Sequence, residues 1–230
     1  MYGLSLFSGG AIGEFAFKQI IPGYRTVGYV EIDRYCRSII RARIRDGILD
    51  DAPIFDDIRT FNARYARRYA GKVDFVSGGF PCQPFSTAKR GVVATEDLWL
   101  EMVVAIKTIC PEYVFAENVQ RAPILTAAHD LWQLGYSVQS IQASASDVGA
   151  DHIRRRYWLL GYPYNESKSM RVIDDETSRL SEPKESVWRN YPDELRVAHG
   201  VASRVDRLKA VGNGWVPQVV KRILRVKEAV

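Results

Sequence analysis

The chain reads as an α/β domain: a Rossmann-like, mostly parallel sheet with helices on both faces. Three observations predict this. Short apolar runs recur along the chain, and amphipathic segments of helical length separate them. Acidic and glycine residues gather where the apolar runs end. Strands alternating with helices of this length imply a parallel sheet covered on both sides.

Tyr2–Phe7 reads as a buried strand followed by a Ser-Gly-Gly turn. A helix follows from about Gly13 to Ile20, with Phe15, Ala16 and Ile20 as its apolar positions. Thr26–Val30 is the next strand and runs into Glu31 and Asp33; Arg34–Arg45 is a basic amphipathic helix. A short third strand precedes Asp57-Ile58, and Phe61–Tyr69 reads as a helix. Val73–Val76 is a strand that leaves through Gly78-Gly79. Leu98–Ile109 is a helix stopped by Pro111, which cannot continue one. Tyr113–Ala116 is a strand ending in Glu117-Asn118, and Ile124–Leu134 a helix closed by Gly135. Ser137–Ala143 and Tyr157–Gly161 are further strands. Pro163 to about His199 breaks the rhythm with a polar stretch; Pro217–Lys227 is a last helix with proline at its first position.

With 230 residues, 47% hydrophobic and 26% charged, the chain suits one globular domain with a small insert. No apolar run approaches the roughly 20 residues of a membrane helix. The N-terminus carries no basic stretch or cleavage site, so neither a membrane partner nor a signal peptide is expected. The three cysteines, Cys36, Cys82 and Cys110, are widely spaced and odd in number. That argues against a disulfide framework or a metal site and for a reducing compartment. Cys36 and Cys110 read as inert core residues. The net charge of +5 permits a polyanionic partner. Arginines cluster at 34–45, 64–68 and 154–156. The first two clusters read as solvated helix faces.

In open α/β sheets, ligands bind beyond the carboxyl ends of the strands. Phe7-Ser8-Gly9-Gly10 stands at such an end, where glycines let backbone approach a ligand. Glu31 ends the second strand, placed for a ribose diol. Asp57-Ile58 follows the third, placed for an adenine amino group. Together these read as an adenosine site; no phosphate-binding lysine motif accompanies them. Cys82 lies in Gly-Gly-Phe-Pro81-Cys82-Gln83-Pro84-Phe-Ser86, between two prolines that restrict the backbone. Such a frame suits a nucleophile. Glu117-Asn118-Val119 ends the next core strand and faces the same crevice, fitted for acid chemistry. In His152-Ile153-Arg154-Arg155-Arg156, alternation puts Arg154 and Arg156 on one face and Arg155 on the other. Paired guanidiniums suit a nucleic-acid backbone or base edge. Gly212-Asn213-Gly214-Trp215 opens the last helix, either as a simple cap or as a segment folding back to complete the cofactor site.

These segments, in this order and spacing, resemble the cytosine-C5 DNA methyltransferases from Leu4 to about Val220, apart from the polar stretch. The resemblance implies a Rossmann-like S-adenosylmethionine-dependent methyltransferase fold. Residues 1–162 and 205–230 would form the catalytic domain and 163–204 a short target-recognition insert. It implies S-adenosyl-L-methionine as cofactor, held by Phe7, Gly9, Gly10, Ala11, Glu31, Ile32, Asp57, Ile58, Pro81, Leu98, Asn213 and Trp215. Cys82 would be the nucleophile, Glu117 the acid, and Arg154 and Arg156 partners of the flipped cytosine and its phosphate. Gln83, Ser86, Asn118 and Arg155 would contact DNA. The implied partner is double-stranded DNA, bound by a cytoplasmic monomer. Departures stand beside the match. Ser5 replaces the family's aspartate, Ala11-Ile12 replaces a Gly-Gly pair, His152 replaces a glutamine, and the recognition stretch is short. A tRNA cytosine methyltransferase and a catalytically weak nucleic-acid-binding homologue are the alternatives.

Overall fold

The computed structural model describes residues 1–81, 98–163 and 214–228. A seven-stranded sheet forms its centre, in the order β3-β2-β1-β4-β5-β7-β6. The strands are β1 (Tyr2–Leu6), β2 (Arg25–Val30), β3 (Ile54–Phe55), β4 (Phe75–Gly79), β5 (Tyr113–Asn118), β6 (Tyr136–Ala143) and β7 (Arg156–Pro163). β7 runs antiparallel to both neighbours; every other pairing is parallel. The chain crosses from β1 outward to β3 and then returns to place β4 beside β1. The loops after β1 and β4 therefore open away from each other at a topological switch point.

The helices are α1 (Ile12–Ile20), α2 (Arg34–Arg45), α3 (Ile58–Arg64), α4 (Leu98–Ile109), α5 (Arg121–Gln133) and α6 (Pro217–Glu228). One core packs Phe61 of α3, Met102 and Ile106 of α4, and Ile124 and Leu131 of α5 against the sheet. The other packs Phe17 of α1 and Val219, Val220 and Ile223 of α6 against the opposite face. The two-sided α/β architecture expected from the sequence is the one observed.

Local chemistry explains the boundaries. Asp33 caps α2, accepting from the N–H groups of Tyr35 and Cys36 at 2.9 and 3.1 Å. Asp57 caps α3 through the Arg59 N–H at 2.8 Å. That cap starts α3 three residues before the expected Phe61, and Ala66–Tyr69 follow as a separate 3-10 turn. β4 runs past the expected Val76, and Gly78 and Gly79 are its last two residues, paired with Ala116 and Glu117 of β5. α5 begins at Arg121, because Pro123 is tolerated in a first helical turn.

Two side chains reverse their expected placement. Phe15 faces outward, while Gly13, Glu14, Ala16 and Phe17 form the buried face of α1. Cys110 is exposed rather than core, because it occupies the left-handed position (φ 54°) that ends α4 ahead of Pro111.

Candidate active site

A cavity of about 450 Å³ opens at the carboxyl ends of β1, β2, β4 and β5. The β1 turn forms one wall. Phe7, Gly9 and Ala11 take left-handed backbone conformations, φ 52°, 53° and 54°. For Phe7 and Ala11 this costs roughly 1–2 kcal/mol each, the kind of strain that concentrates at binding loops. Ala11 thus adopts a conformation natural to the glycine that it replaces. The turn is pinned by Glu31, whose Oε2 accepts from the Gly9 N–H at 2.6 Å and whose Oε1 accepts from Asp33 N–H at 2.7 Å. Each oxygen keeps lone-pair capacity for a hydroxyl donor. Arg37 of α2 braces this corner, donating to the carbonyls of Glu31 and Ile32 at 2.9 and 2.6 Å.

Beside Glu31, Ile32 is 70% exposed and lines the cavity, an apolar face without cover. Asp57, Ile58, Pro81 and Leu98 complete this half. Gly10 is not among the lining residues. Beyond its two chain neighbours, a Cβ added at Gly9 meets no atom of the described residues within 4 Å, yet its φ is unfavourable for a side chain. Gly9→Ala should therefore cost only about 1–2 kcal/mol in thermal unfolding. It should cost disproportionately more in cofactor affinity, which calorimetry would read.

The opposite half is built on Glu117, at the end of β5 and only 7% exposed. Arg156 Nε lies 3.0 Å from its Oε1, an ion pair by distance. That N–H is not aimed well enough to bond, so Oε1 is a buried oxygen with no hydrogen-bond partner among the described residues. Oε2 accepts from the indole N–H of Trp215 at 3.2 Å. Burial raises the Glu117 carboxyl above its ordinary range, while Arg156, the Trp215 bond and Arg154 pull it back. Arg154 donates to the Gly214 carbonyl at 2.8 Å, tying the segment before α6 to the site. Arg154 and Arg156 both line the cavity, whereas Arg155 is exposed elsewhere.

Residues more than a hundred positions apart thus converge: Phe7, Gly9, Glu31, Glu117, Arg154, Arg156 and Trp215 share one cavity. Asn118 does not reach it. Its amide donates to the Phe80 carbonyl at 3.0 Å and accepts from Gln120 N–H at 2.9 Å, so it braces the end of β4. Cys82, Gln83, Ser86 and Asn213 lie outside the described residues. Cys82 follows Pro81 directly in the chain, and Pro81 lines the cavity.

The sequence reading missed Glu14. It is fully buried, with Oε1 accepting from Ser77 at 2.7 Å and Oε2 from Tyr24 and Thr26. Burial raises its carboxyl, and the hydroxyls of Tyr24, Ser77, Ser5 and Thr26 oppose the rise. Ser5, where the family pattern has an aspartate, thus serves a carboxyl supplied by α1. The available signal was helical spacing: Glu14 shares a face with Phe17 three residues on. Among the described residues, no cluster of metal-ligating side chains occurs, and no helix is long and apolar enough to cross a membrane.

Comparison with known proteins agrees with this geometry. Residues 1–202 match the family described as C-5 cytosine-specific DNA methylase. The chain is 36% identical over 121 residues to the type II methyltransferase M.PspPI of Psychrobacter sp. (strain TA137), covering 51% of this chain and 27% of that protein. It is 31% identical over 168 residues to the orphan methyltransferase M.SPRI of Bacillus phage SPR, covering 69% and 37%. With M.CviJI, a type II methyltransferase from Paramecium bursaria Chlorella virus IL3A, it shares 26% identity over 85% of this chain and 51% of that one. The chain therefore spans only about a quarter to a half of the length of these curated relatives. Among solved structures, a DNMT2 variant from Spodoptera frugiperda superimposes with a TM-score of 0.61 at 16% identity, covering 80% of this chain and 56% of that one. The Dnmt2 methyltransferase of S. pombe gives 0.59 at 20%, covering 80% and 57%. At such identities these neighbours speak for the fold. With the family match over residues 1–202 and the convergence of the same segments on one cavity, the chain belongs to the C-5 cytosine-specific DNA methylases.

Proposed function

We propose that this protein methylates carbon 5 of cytosine in double-stranded DNA, using S-adenosyl-L-methionine. The carrying observation is Glu117. It is a buried acid beside two arginines, with one oxygen that accepts no hydrogen bond among the described residues, on the strand adjoining the one that leads through Pro81 to Cys82.

The cofactor half of the cavity suits S-adenosylmethionine. Glu31 offers two oxygens to the ribose hydroxyls, and Ile32 offers an apolar platform to the adenine. Asp57 stands by for the amino group, the Phe7–Ala11 turn, Pro81, Leu98 and Trp215 line the remainder, and Asn213 is assigned to the cofactor by the family resemblance alone. When bound, S-adenosylmethionine supplies an electrophilic methyl group. The chain's residues supply the rest. Carbon 5 of cytosine is a poor nucleophile, and addition of the Cys82 thiolate to carbon 6 makes it enamine-like. Negative charge then develops toward ring nitrogen 3, where protonated Glu117 delivers its proton. Arg154 and Arg156 hold the flipped base and its phosphate. Loss of the carbon 5 proton and departure of Cys82 regenerate the free thiolate. The base must leave the stack to be reached, at a cost of a few kcal/mol.

Residues 163–204 serve as the recognition insert between the two parts of the catalytic domain, 1–162 and 205–230. The bacterial and phage sources of relatives support action in the cytoplasm. The protein acts as a monomer on DNA, with Gln83, Ser86 and Arg155 as further DNA contacts.

The test is covalent trapping. Duplex DNA containing 5-fluorocytosine should form a stable adduct with the protein and S-adenosylmethionine, and Cys82→Ser should form none. Bisulfite sequencing of treated DNA would then reveal the target site. Labelled tRNA with unlabelled DNA, or an adduct undiminished in Cys82→Ser, would reject the assignment.

A further inference from the structure

Trp215 arrives at Glu117 from the far end of the sequence, 98 positions away. We propose that Trp215 is a positioning residue for base activation: its indole N–H holds Oε2 of Glu117, and this fixes the orientation of the carboxyl at the cavity. The inference rests on reading Glu117 as the acid that serves the cytosine ring.

Geometry supports it from three sides. The indole is a donor only, so it fixes one carboxyl oxygen without competing for the proton. The ring is itself clamped, with edge contacts to Phe17, Phe115 and Trp158 at centroid distances of 6.1, 5.5 and 5.2 Å. Two glycines make room for it. A Cβ on Gly13 would lie 2.3 Å from its Cε3, and one on Gly79 would lie 3.0 Å from its Nε1. The preceding carbonyl, that of Gly214, is held by Arg154 at 2.8 Å. A donor so immobilised aims its acceptor within the tolerance that proton transfer needs. Oε1, by contrast, is buried with no hydrogen bond among the described residues and faces Arg156 across 3.0 Å. The carboxyl is thus held from both sides, by a hydrogen bond at Oε2 and by an ion pair at Oε1, and its orientation against the cavity is fixed.

The charged groups acting on Glu117 among the described residues are Arg156 and Arg154, both on the β7 side. Trp215 acts from the α6 side and, like the arginines, favours the charged carboxylate. Its removal should therefore raise the Glu117 carboxyl further. The acid works only when protonated, so the alkaline limb of the rate profile should move up by roughly half a unit or more. The loosened carboxyl should lower kcat about tenfold.

The experiment compares wild type, Trp215→Phe, Glu117→Gln and the double variant. A ¹³C-detected titration of the Glu117 carboxyl, made without substrate, is expected to show it higher in Trp215→Phe than in wild type. An unmoved carboxyl would overturn the proposal whether or not the protein methylates DNA. In rate measurements, Trp215→Phe should change nothing further once Glu117 is Gln. A persisting effect there, or a raised cofactor KM with unaltered kcat and pH limb, would make Trp215 a packing or cofactor residue only. Thermal melts of the same four proteins separate any general loss of fold.

Discussion

Glu117→Gln is expected to lower the methylation rate by roughly 10² to 10⁴, the usual contribution of a positioned general acid. Cofactor binding should stay near wild type. The two carry separate loads in the cavity: Glu31, Ile32 and the Phe7–Ala11 turn form the cofactor half, and Glu117 faces them across it. The amide keeps the size of the carboxyl and still accepts the indole N–H, but it has no proton to deliver. The pH behaviour follows from the direction of the shift. Burial holds the Glu117 carboxyl above its ordinary value, so it stays protonated to higher pH than a surface glutamate. The wild-type rate should therefore decline on an alkaline limb that Glu117→Gln lacks. Stability has the same sign. The advantage of keeping this buried group neutral is full below the ordinary carboxylate range and disappears as pH rises through the raised value. Glu117→Gln should abolish that loss, seen as a melting temperature that falls less than the wild type's as pH rises from the ordinary carboxylate range through the raised value. Single-turnover rates and calorimetric titration with S-adenosylmethionine check both halves. Lost cofactor binding would refute the assignment of Glu117 to the base.

Parts of this site were legible in the sequence because they depend on local chemistry. α2 and α4 have the bounds expected for them, since Asp33 caps one and Pro111 forbids the other to continue. Glu31 and Glu117 were legible as strand-end acids, because the ends of parallel strands are where an α/β sheet presents polar groups. The alternation of Arg154, Arg155 and Arg156 likewise foretold which of the three lines the cavity.

What stayed hidden depends on pairing between distant segments. Gly78 and Gly79 read as the exit from a strand ending at Val76; the parallel register with β5 holds both in the sheet. The reversed direction of β7 leaves no trace in its own pattern. Asn118 looks like a polar side chain offered to a ligand, yet both its ends are taken by backbone of neighbouring turns. Glu14 is the sharpest case. A lone acid in a short apolar helix reads as solvent-facing, and here it turns inward because hydroxyls from three strands meet it, Ser77 from 63 positions away. Such a cage is a property of the assembled sheet.

Gly13→Ala tests this dependence on distant packing most severely, because two local and non-local effects have opposite signs. Replacing a helical glycine by alanine ordinarily gains up to about 1 kcal/mol. Gly13 is buried on the inner face of α1, however, and its new Cβ would stand 2.3 Å from Cε3 and 2.6 Å from Cζ3 of Trp215. The indole cannot retreat, being ringed by Phe17, Phe115 and Trp158. Overpacking of this kind costs typically 1–3 kcal/mol and occasionally more. The clash should outweigh the helical gain, giving a net loss of roughly 1–2 kcal/mol in chemical denaturation. The displaced ring should also release Oε2 of Glu117 and lower the methylation rate. Removing the obstacle should reverse the sign. In a Trp215→Leu background, Gly13→Ala should be neutral or stabilising, a coupling of about 2 kcal/mol, within the range found for residues in contact. If Gly13→Ala destabilises both backgrounds equally, the glycine is required by α1 itself, and the indole is not what it accommodates.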